Sequence, residues 1–467
     1  MTGFSSINTA LTALRYQQGV IDVASTNVAN ASTEGYVRRR LIGQTIETAN
    51  TSALWSRSSS LGSGVTSSGV QRINDPLLDA RMRREHGTQG YLDLKSAAMS
   101  RLETGIAEPS SSGLAAALNN FKSALQDLVN SPGSDAARSQ VLSTASIAAD
   151  AFNLQSSNFA AEAQDQRARV SANVLEINDV ANQLASTNKT LAAATANGSD
   201  TSTLMDTRDA LALRLSELSG ATAKIRDDGG MDITVNGVSL VSGGKASKIE
   251  IASGIEADGT ASDPAAEITF SVVAPDGTST DVDGALGGEI GAGVELIDKV
   301  IPDYVSGLNQ IAADFADAIN AVQTTGYDID GNIGSDFFSY DPDDAAASLK
   351  VVLTKTSEIA ASSESGGVLD AANADAMSDA ITVGDAYQRL VNNFGSSVNT
   401  VKQLAENQQV MTTQVDNARE QLTGVSQDEE TVNMVMAQKS YQAAARVMTT
   451  VDEMLDTLIN RTGKVGL

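Results

Sequence analysis

Few residues in this chain could carry chemistry. Its single histidine, His86, sits in a chain with no cysteine. With no Cys and no second His it can build neither a hydrolase triad nor a common zinc site, so it reads as a plain surface histidine. Asp328, Asp330, Asn332 and Asp336 alternate in DIDGNIGSD as calcium ligands do. An EF-hand loop needs Gly at its sixth position and Glu at its twelfth, and those positions here are Ile333 and Ser339. A Gly-rich turn is therefore expected, with a cation site as the alternative. The glycines of GGEIGAG (287–293) do not directly follow a strand and make no phosphate loop. Arg38, Arg39 and Arg40 have three open readings: pairing with acidic neighbours, solvation, or a polyanion site. No nucleophile–base pair stands out. No enzyme, cofactor or metal is expected.

Composition agrees. The 467 residues exceed one compact core and suggest about three domains. Aromatics are only 4% against 41% hydrophobic residues, which suits long helices packed through small side chains better than an aromatic-lined pocket. The net charge of −26 repels phosphate, so nucleic acid is not an expected partner. The N-terminus shows no basic segment followed by an apolar stretch, so no cleaved signal is expected. No run approaches 18 apolar residues, so no membrane insertion is expected.

The elements that must position such residues are mostly helices. Ile7, Leu11, Leu14, Gln18, Ile21, Ser25 and Val28 follow 4-3 spacing, five of them apolar. Met434, Ala437, Tyr441, Ala444, Met448, Val451, Leu455 and Leu458 repeat that spacing at the other end. Both read as coiled-coil seams, which predicts terminal helices that pair with each other and with neighbouring subunits. Ser426 and Glu429 form a capping box, with Asp428 and Glu430 adding charge favoured at a helix start. Ala163, Val170, Ile177, Leu184 and Leu191 recur every seven residues before the turn at 197–200. Leu204, Leu211, Leu215 and Leu218 mark another helix closed by Gly220. Pro302 reads as the opening of a helix striped by Tyr304, Leu308, Ile311, Phe315, Ala318 and Val322. A helix over about 386–423 carries Met411, Val415, Ala418 and Leu422 in register.

Between 221 and about 285 the period changes to two. Met231, Ile233 and Val235 alternate, Asn236-Gly237 predicts a type I′ turn, and Val238 with Leu240 returns. A Pro-Asp-Gly turn follows a second alternation. The chain thus reads as mainly α with a β-rich insertion, elongated and multi-domain. Residues 1–36 and 426–467 would form a terminal helical inner-tube domain. Residues 37–220, 286–325 and 374–425 would form a rod-like helical middle. Residues 221–285 would be an outer β-rich insertion, and 326–373 a Gly/Asp-rich junction segment with a short strand.

The stretch NVANASTEGY (27–36) resembles the N-terminal signature of the bacterial flagellar axial proteins, Asn-x-Ala-Asn followed by Thr-x-Gly-Tyr. Here its positions are Asn27, Ala29, Asn30, Thr33, Gly35 and Tyr36. Asn30 and Gly35 tolerate the backbone that ends a helix. The block at 108–153, DTRDALALRLSELSG, TTGYDIDGNIGSDFF and the closing SQDEETVNMVMAQKSYQAAARVM are similar to the hook-associated protein 1 family. Val37-Arg38-Arg39 keeps the first Arg of that family's Ser-Arg-Gln and loses its Gln. The resemblance implies a structural subunit of the hook–filament junction on which flagellin assembles. It implies a flagellar, extracellular location reached by type III export without a cleaved signal. Implied partners are the chain itself, hook protein, hook-associated protein 3 and an export chaperone at the C-terminal region. Flagellin-like or hook-associated protein 3-like subunits, a calcium-dependent adhesin and a polysaccharide hydrolase are the alternatives. The last needs paired carboxylates in a cleft.

Overall fold

The structure, a computed structural model, describes residues 2–46, 64–256, 260–261 and 266–457. Helix α1 (Thr2–Ala29) leads into an antiparallel hairpin of β1 (Arg39–Thr45) and β2 (Val65–Arg72). Four helices follow: α2 (Pro76–Ile106), α3 (Leu114–Asn130), α4 (Asp135–Ala196) and α5 (Ser202–Ser219). Their starts obey local chemistry. Asp75 caps α2 by accepting from the Leu77 and Leu78 amides, with Pro76 at the first position, and Ser134 caps α4 through Ala137.

The period-two segment forms two small sheets. One orders β3 (Thr222–Ile225), β4 (Met231–Val235), β5 (Val238–Ser242) and β6 (Lys245–Ala246); the other orders β7 (Lys248–Ser253), β8 (Thr269–Val273) and β9 (Ser279–Asp281). Met231, Ile233 and Val235 are fully buried, and both Asn236 (φ 45) and Gly237 (φ 85) are left-handed, as a type I′ turn requires.

Helix α6 (Gly288–Glu295), a π-helical turn (Leu296–Val300) and α7 (Ile301–Gln323) run on without a break. Pro302 stands in the first turn of α7 as expected, but that helix continues from the π turn instead of starting afresh at a cap. The ring of Pro302 would crowd the carbonyl four residues back, and the wider π turn just before it relieves that conflict. The GGEIGAG glycines open α6 instead.

Strands β10 (Phe338–Ser339) and β11 (Lys350–Val351) pair around the short α8 (Ala345–Ser348). Helices α9 (Ala372–Ala380), α10 (Gly384–Thr423) and α11 (Gln427–Asp456) complete the described chain.

The scarce aromatics are concentrated. Phe121, Phe152, Phe159, Phe315, Phe337, Phe338 and Phe394, seven of 9 phenylalanines, share one core with Tyr304. Phe159 stacks on Tyr304 at 4.2 Å, and Phe121 meets Phe315 edge-on at 5.8 Å. A second core joins Val170, Ile177 and Leu184 of α4 to Leu215 and Leu218 of α5 and to the inner faces of both sheets. Helix α4 passes through both.

The stripe expected on α10 is wrong in register. Val415 is buried, but Met411 and Leu422 are 43% and 41% exposed, and Ala418 is exposed. The buried face is Val401, Ala405, Gln408, Thr412, Val415 and Thr423. The reason lies in its neighbour: α10 packs on α2, where Glu85 accepts a bond from Gln408 (2.9 Å), so polar residues are the ones covered.

Candidate assembly site

Helices α1 and α11 pack against each other. Ile7, Leu11, Leu14, Ile21 and Val28 are half-buried, and Ala10, Ala24 and Asn27 are fully covered. On α11, Ala437 is buried; Met434, Ala444, Met448, Val451 and Leu455 are half-buried. Tyr441, 39% exposed, stands at the margin, and Leu458 lies outside the described residues. A second stripe on α11, about a third of a turn around the helix from the seam, is open: Val432, Met436, Val447 and Met454 are 51–60% exposed.

Where α1 ends, the signature folds into a hydrogen-bonded node. Asn30 closes the helix through its side chain to the Thr26 carbonyl (2.9 Å), and Thr33 donates to Asn30 (3.3 Å). Gly35 is left-handed at φ +76, and Ala29 and Thr33 are exposed. The centre is Asn27, 0% exposed. Its amide donates to the Arg39 carbonyl (2.9 Å) and to Glu430 (3.1 Å); its Oδ1 accepts from the Tyr36 hydroxyl (2.8 Å) and the Arg39 amide (3.1 Å). Both donors and both lone pairs are satisfied, the condition for burying a primary amide without loss. Burial raises the Tyr36 hydroxyl above its ordinary pKa, opposed by the Arg39 guanidinium that lies 4.8 Å over its ring.

The arginine run pairs with acidic neighbours. Arg38 meets Glu430 at 2.7 Å and Glu429 at 3.0 Å, while its amide donates to the Thr423 carbonyl (2.9 Å) at the end of α10. The half of the capping box made by Ser426 is present (3.4 Å to the Glu429 amide), but the Glu429 carboxylate turns to Arg38. Arg39 binds Asp206 of α5 at 2.8 Å, and Arg72 of β2 binds Asp206 (2.7 Å) and Asp209 (2.9 Å). Arg208 holds Asp209 from the other side (2.9 Å through Nε) and the Gly229 carbonyl. Arg40 is exposed beside Gln71 (3.4 Å). Both terminal helices are thus tied through one hairpin to α5 and α10.

Three of these partners are not visible from local sequence. Glu430 reads as dipole compensation but is a buried counter-ion, 3% exposed. Asp206 and Asp209 lie on a helix that the sequence marks only by its leucines and by Gly220. His86 is no plain surface histidine: Nε2 lies 3.0 Å from Asp416 of α10 and Nδ1 3.4 Å from Glu217 of α5. Its hydrogen bond to Glu217 is the main cause of a pKa raised to about 9, against the opposing effect of burial, so it is a cation bridging three helices at neutral pH.

At the calcium-like loop, Asp328 accepts from the Asp330 (2.9 Å) and Asn332 (2.8 Å) amides of its own turn. Asp336 is not drawn to it by any bond among the described residues. The arrangement around Asn27 joins the end of α1 to the start of α11 through a saturated set of hydrogen bonds and ion pairs.

The chain matches known families along its length. Residues 99–338 match the flagellar hook-associated protein FlgK helical domain, 7–36 the flagella basal body rod protein, and 421–461 the flagellar basal body rod FlgEFG protein C-terminal region. It is 30% identical to flagellar hook-associated protein 1 of Bacillus subtilis over 505 aligned residues, covering 99% of both chains. To the protein of that name from Escherichia coli it is 26% identical over 562, covering 98% of this chain and 99% of the other. The flagellar hook junction protein FlgK from Burkholderia pseudomallei shares the fold: TM-score 0.64 at 15% identity, covering 74% of this chain and all of that one. With that full-length relative and a helical-domain match over half its residues, the chain belongs to the flagellar hook-associated protein 1 family.

Proposed function

We propose that this chain is the structural subunit of the layer joining hook to filament in a bacterial flagellum, with flagellin assembling beyond it. The observation that carries the reading is the pairing of α1 with α11, tied to the body at Asn27, Arg38 and Glu430. A helix pair with one shared seam and a further open apolar stripe is an incomplete bundle. Copies of the same chain complete it, so Ile7, Leu11, Leu14, Ile21 and Val28 with Met434 to Leu455 form the wall of an inner tube. Hook protein then lies on one side of the layer and hook-associated protein 3 on the other. The subunit leaves the cell through the flagellar type III channel, with a chaperone covering the C-terminal region before assembly, and works outside the cell.

The domain division follows the same logic. The terminal helices make the inner shell, the α2–α5, α7 and α10 helices the next, and the two sheets the outer surface. The test is imaging of flagella from a strain lacking this protein. Intact hooks without filaments, and flagellin lost to the medium, are expected. Normal filaments would reject the reading.

A further inference from the structure

Helix α4 is apolar on two opposite faces. Its inner heptad, Ala163, Val170, Ile177, Leu184 and Leu191, is buried. On the other side stand Ile147, Leu154, Ala161, Ala168 and Leu175, also seven residues apart and all exposed. The three large ones are 53%, 64% and 70% exposed. Single exposed leucines need no explanation, but one phase held over roughly 42 Å of helix does. A seven-residue repeat drifts about 20° per heptad on a straight helix, so the surface that follows it is another helix crossing at a coiled-coil angle. The two central alanines let that helix approach closely.

The edges of the stripe narrow the choice of occupant. Asp150, Asp165 and Asp179 flank it and are exposed. A second α4 laid against it would bring carboxylates towards carboxylates. Helix α10 offers the complement. Leu404, Met411 and Ala418 keep the same heptad spacing with Leu422 one turn further, and all are exposed. From Asn407 to Val415 that helix carries no charge, and Gln414, Asn417 and Gln421 present exposed amides beside the stripe. Amide N–H groups donate to carboxylates without adding charge. Subunits standing side by side around a layer join unlike faces, which is the heterologous contact these two helices supply.

We infer that the outer face of α4 in one copy is covered by the C-terminal half of α10 in the adjacent copy, an inference that rests on the junction-layer reading above. The test uses the full chain, which has no cysteine of its own. Leu154→Cys is combined in turn with Met411→Cys and with Leu422→Cys, and a short bismaleimide is added before and after assembly. A cross-linked ladder only in the assembled layer is the expected result. A layer that forms normally and gives no ladder from either pairing overturns the inference and leaves the junction reading standing. A ladder from Leu154→Cys alone also overturns it, by putting two α4 faces together. Failure of the parent chain to build any layer removes the junction reading and this inference with it. Independently, Leu175→Glu should leave the melting of the monomer unchanged and raise the concentration needed for polymerisation about tenfold or more. Unchanged polymerisation overturns the assignment.

Discussion

Arg38 and Glu430 lie 392 positions apart in the chain and 2.7 Å apart in space. One is in the signature that ends the first helix, the other in the first turn of the last. Removing Arg38 leaves Glu430 without its counter-ion in a covered site, at a cost of about 3 kcal/mol, and removing the charge of Glu430 leaves Arg38 only the exposed Glu429. Glu430→Gln should therefore loosen α1 and α11 while the aromatic core stays folded. Amide exchange is the measurement: faster exchange confined to residues 2–46 and 427–457 is expected, and uniform loss of protection would contradict it.

Asn27→Asp tests the saturated amide. The substitution keeps the shape, removes both donors and sets a carboxylate 3.1 Å from Glu430. Two like charges in a covered site should cost about 2–4 kcal/mol or force uptake of a proton. Filament growth should fail at neutral pH with protein still made; wild-type motility would count against the node.

Gly35→Val acts by a different route. A Cβ at Gly35 would meet nothing within 4 Å, so there is no clash to relieve, only the strain of φ +76. A β-branched residue there costs about 1–3 kcal/mol, and Asn, which tolerates the left-handed region, should cost much less. Comparing assembly of Gly35→Val with Gly35→Asn separates conformation from mere change. Equal behaviour of the two would refute the argument.

His86 gives a pH dependence whose sign is fixed. Its folded pKa, about 9, lies above the ordinary 6.5. The stabilisation is complete below pH 6.5 and is lost as pH rises through 9. For a partly solvated bridge the effect is on the order of 1 kcal/mol. Melting temperature should fall between pH 7 and 10, and His86→Gln should flatten that fall. A parallel decline in the variant would show that other groups are responsible.

Val451→Asp tests the seam. Val451 is half-buried and its neighbour Asp452 is exposed. A carboxylate in the seam should weaken the terminal pair by about 1–2 kcal/mol and leave the melting of the body almost unchanged. The cost recurs in every copy of an assembled layer. Soluble protein without filament growth is expected, and Asp452→Asn should be nearly silent.

Much of the fold was legible because its signals are local. The Asn236-Gly237 turn, the heptads of Ala163 to Leu191, the Ser426 cap and the Gly220 stop all depend on residues within one or two turns. What was hidden depends on the neighbour. The buried face of α10 follows the polar surface of α2, so apolar periodicity pointed to Met411 and Leu422 instead. Pro302 marks the first turn of α7, but nothing local to it shows that α6 and a π turn run straight into that helix. At the node, Asn27 and Gly35 stood out from the signature, but Glu430, Asp206 and Asp209 acquire partners only when distant segments meet. No spacing rule connects residue 38 to residue 430.

The 62 residues of α4, at 1.5 Å each, make an unbroken strut of roughly 93 Å. Because both cores are built on it, they cannot bend relative to one another without breaking backbone hydrogen bonds in its middle. A load passed along the molecule therefore meets a stiff beam over the length of α4. Neither core includes a residue of α1 or α11, so a load taken up at their shared seam reaches the beam through the bonds of Asn27, Arg38 and Glu430.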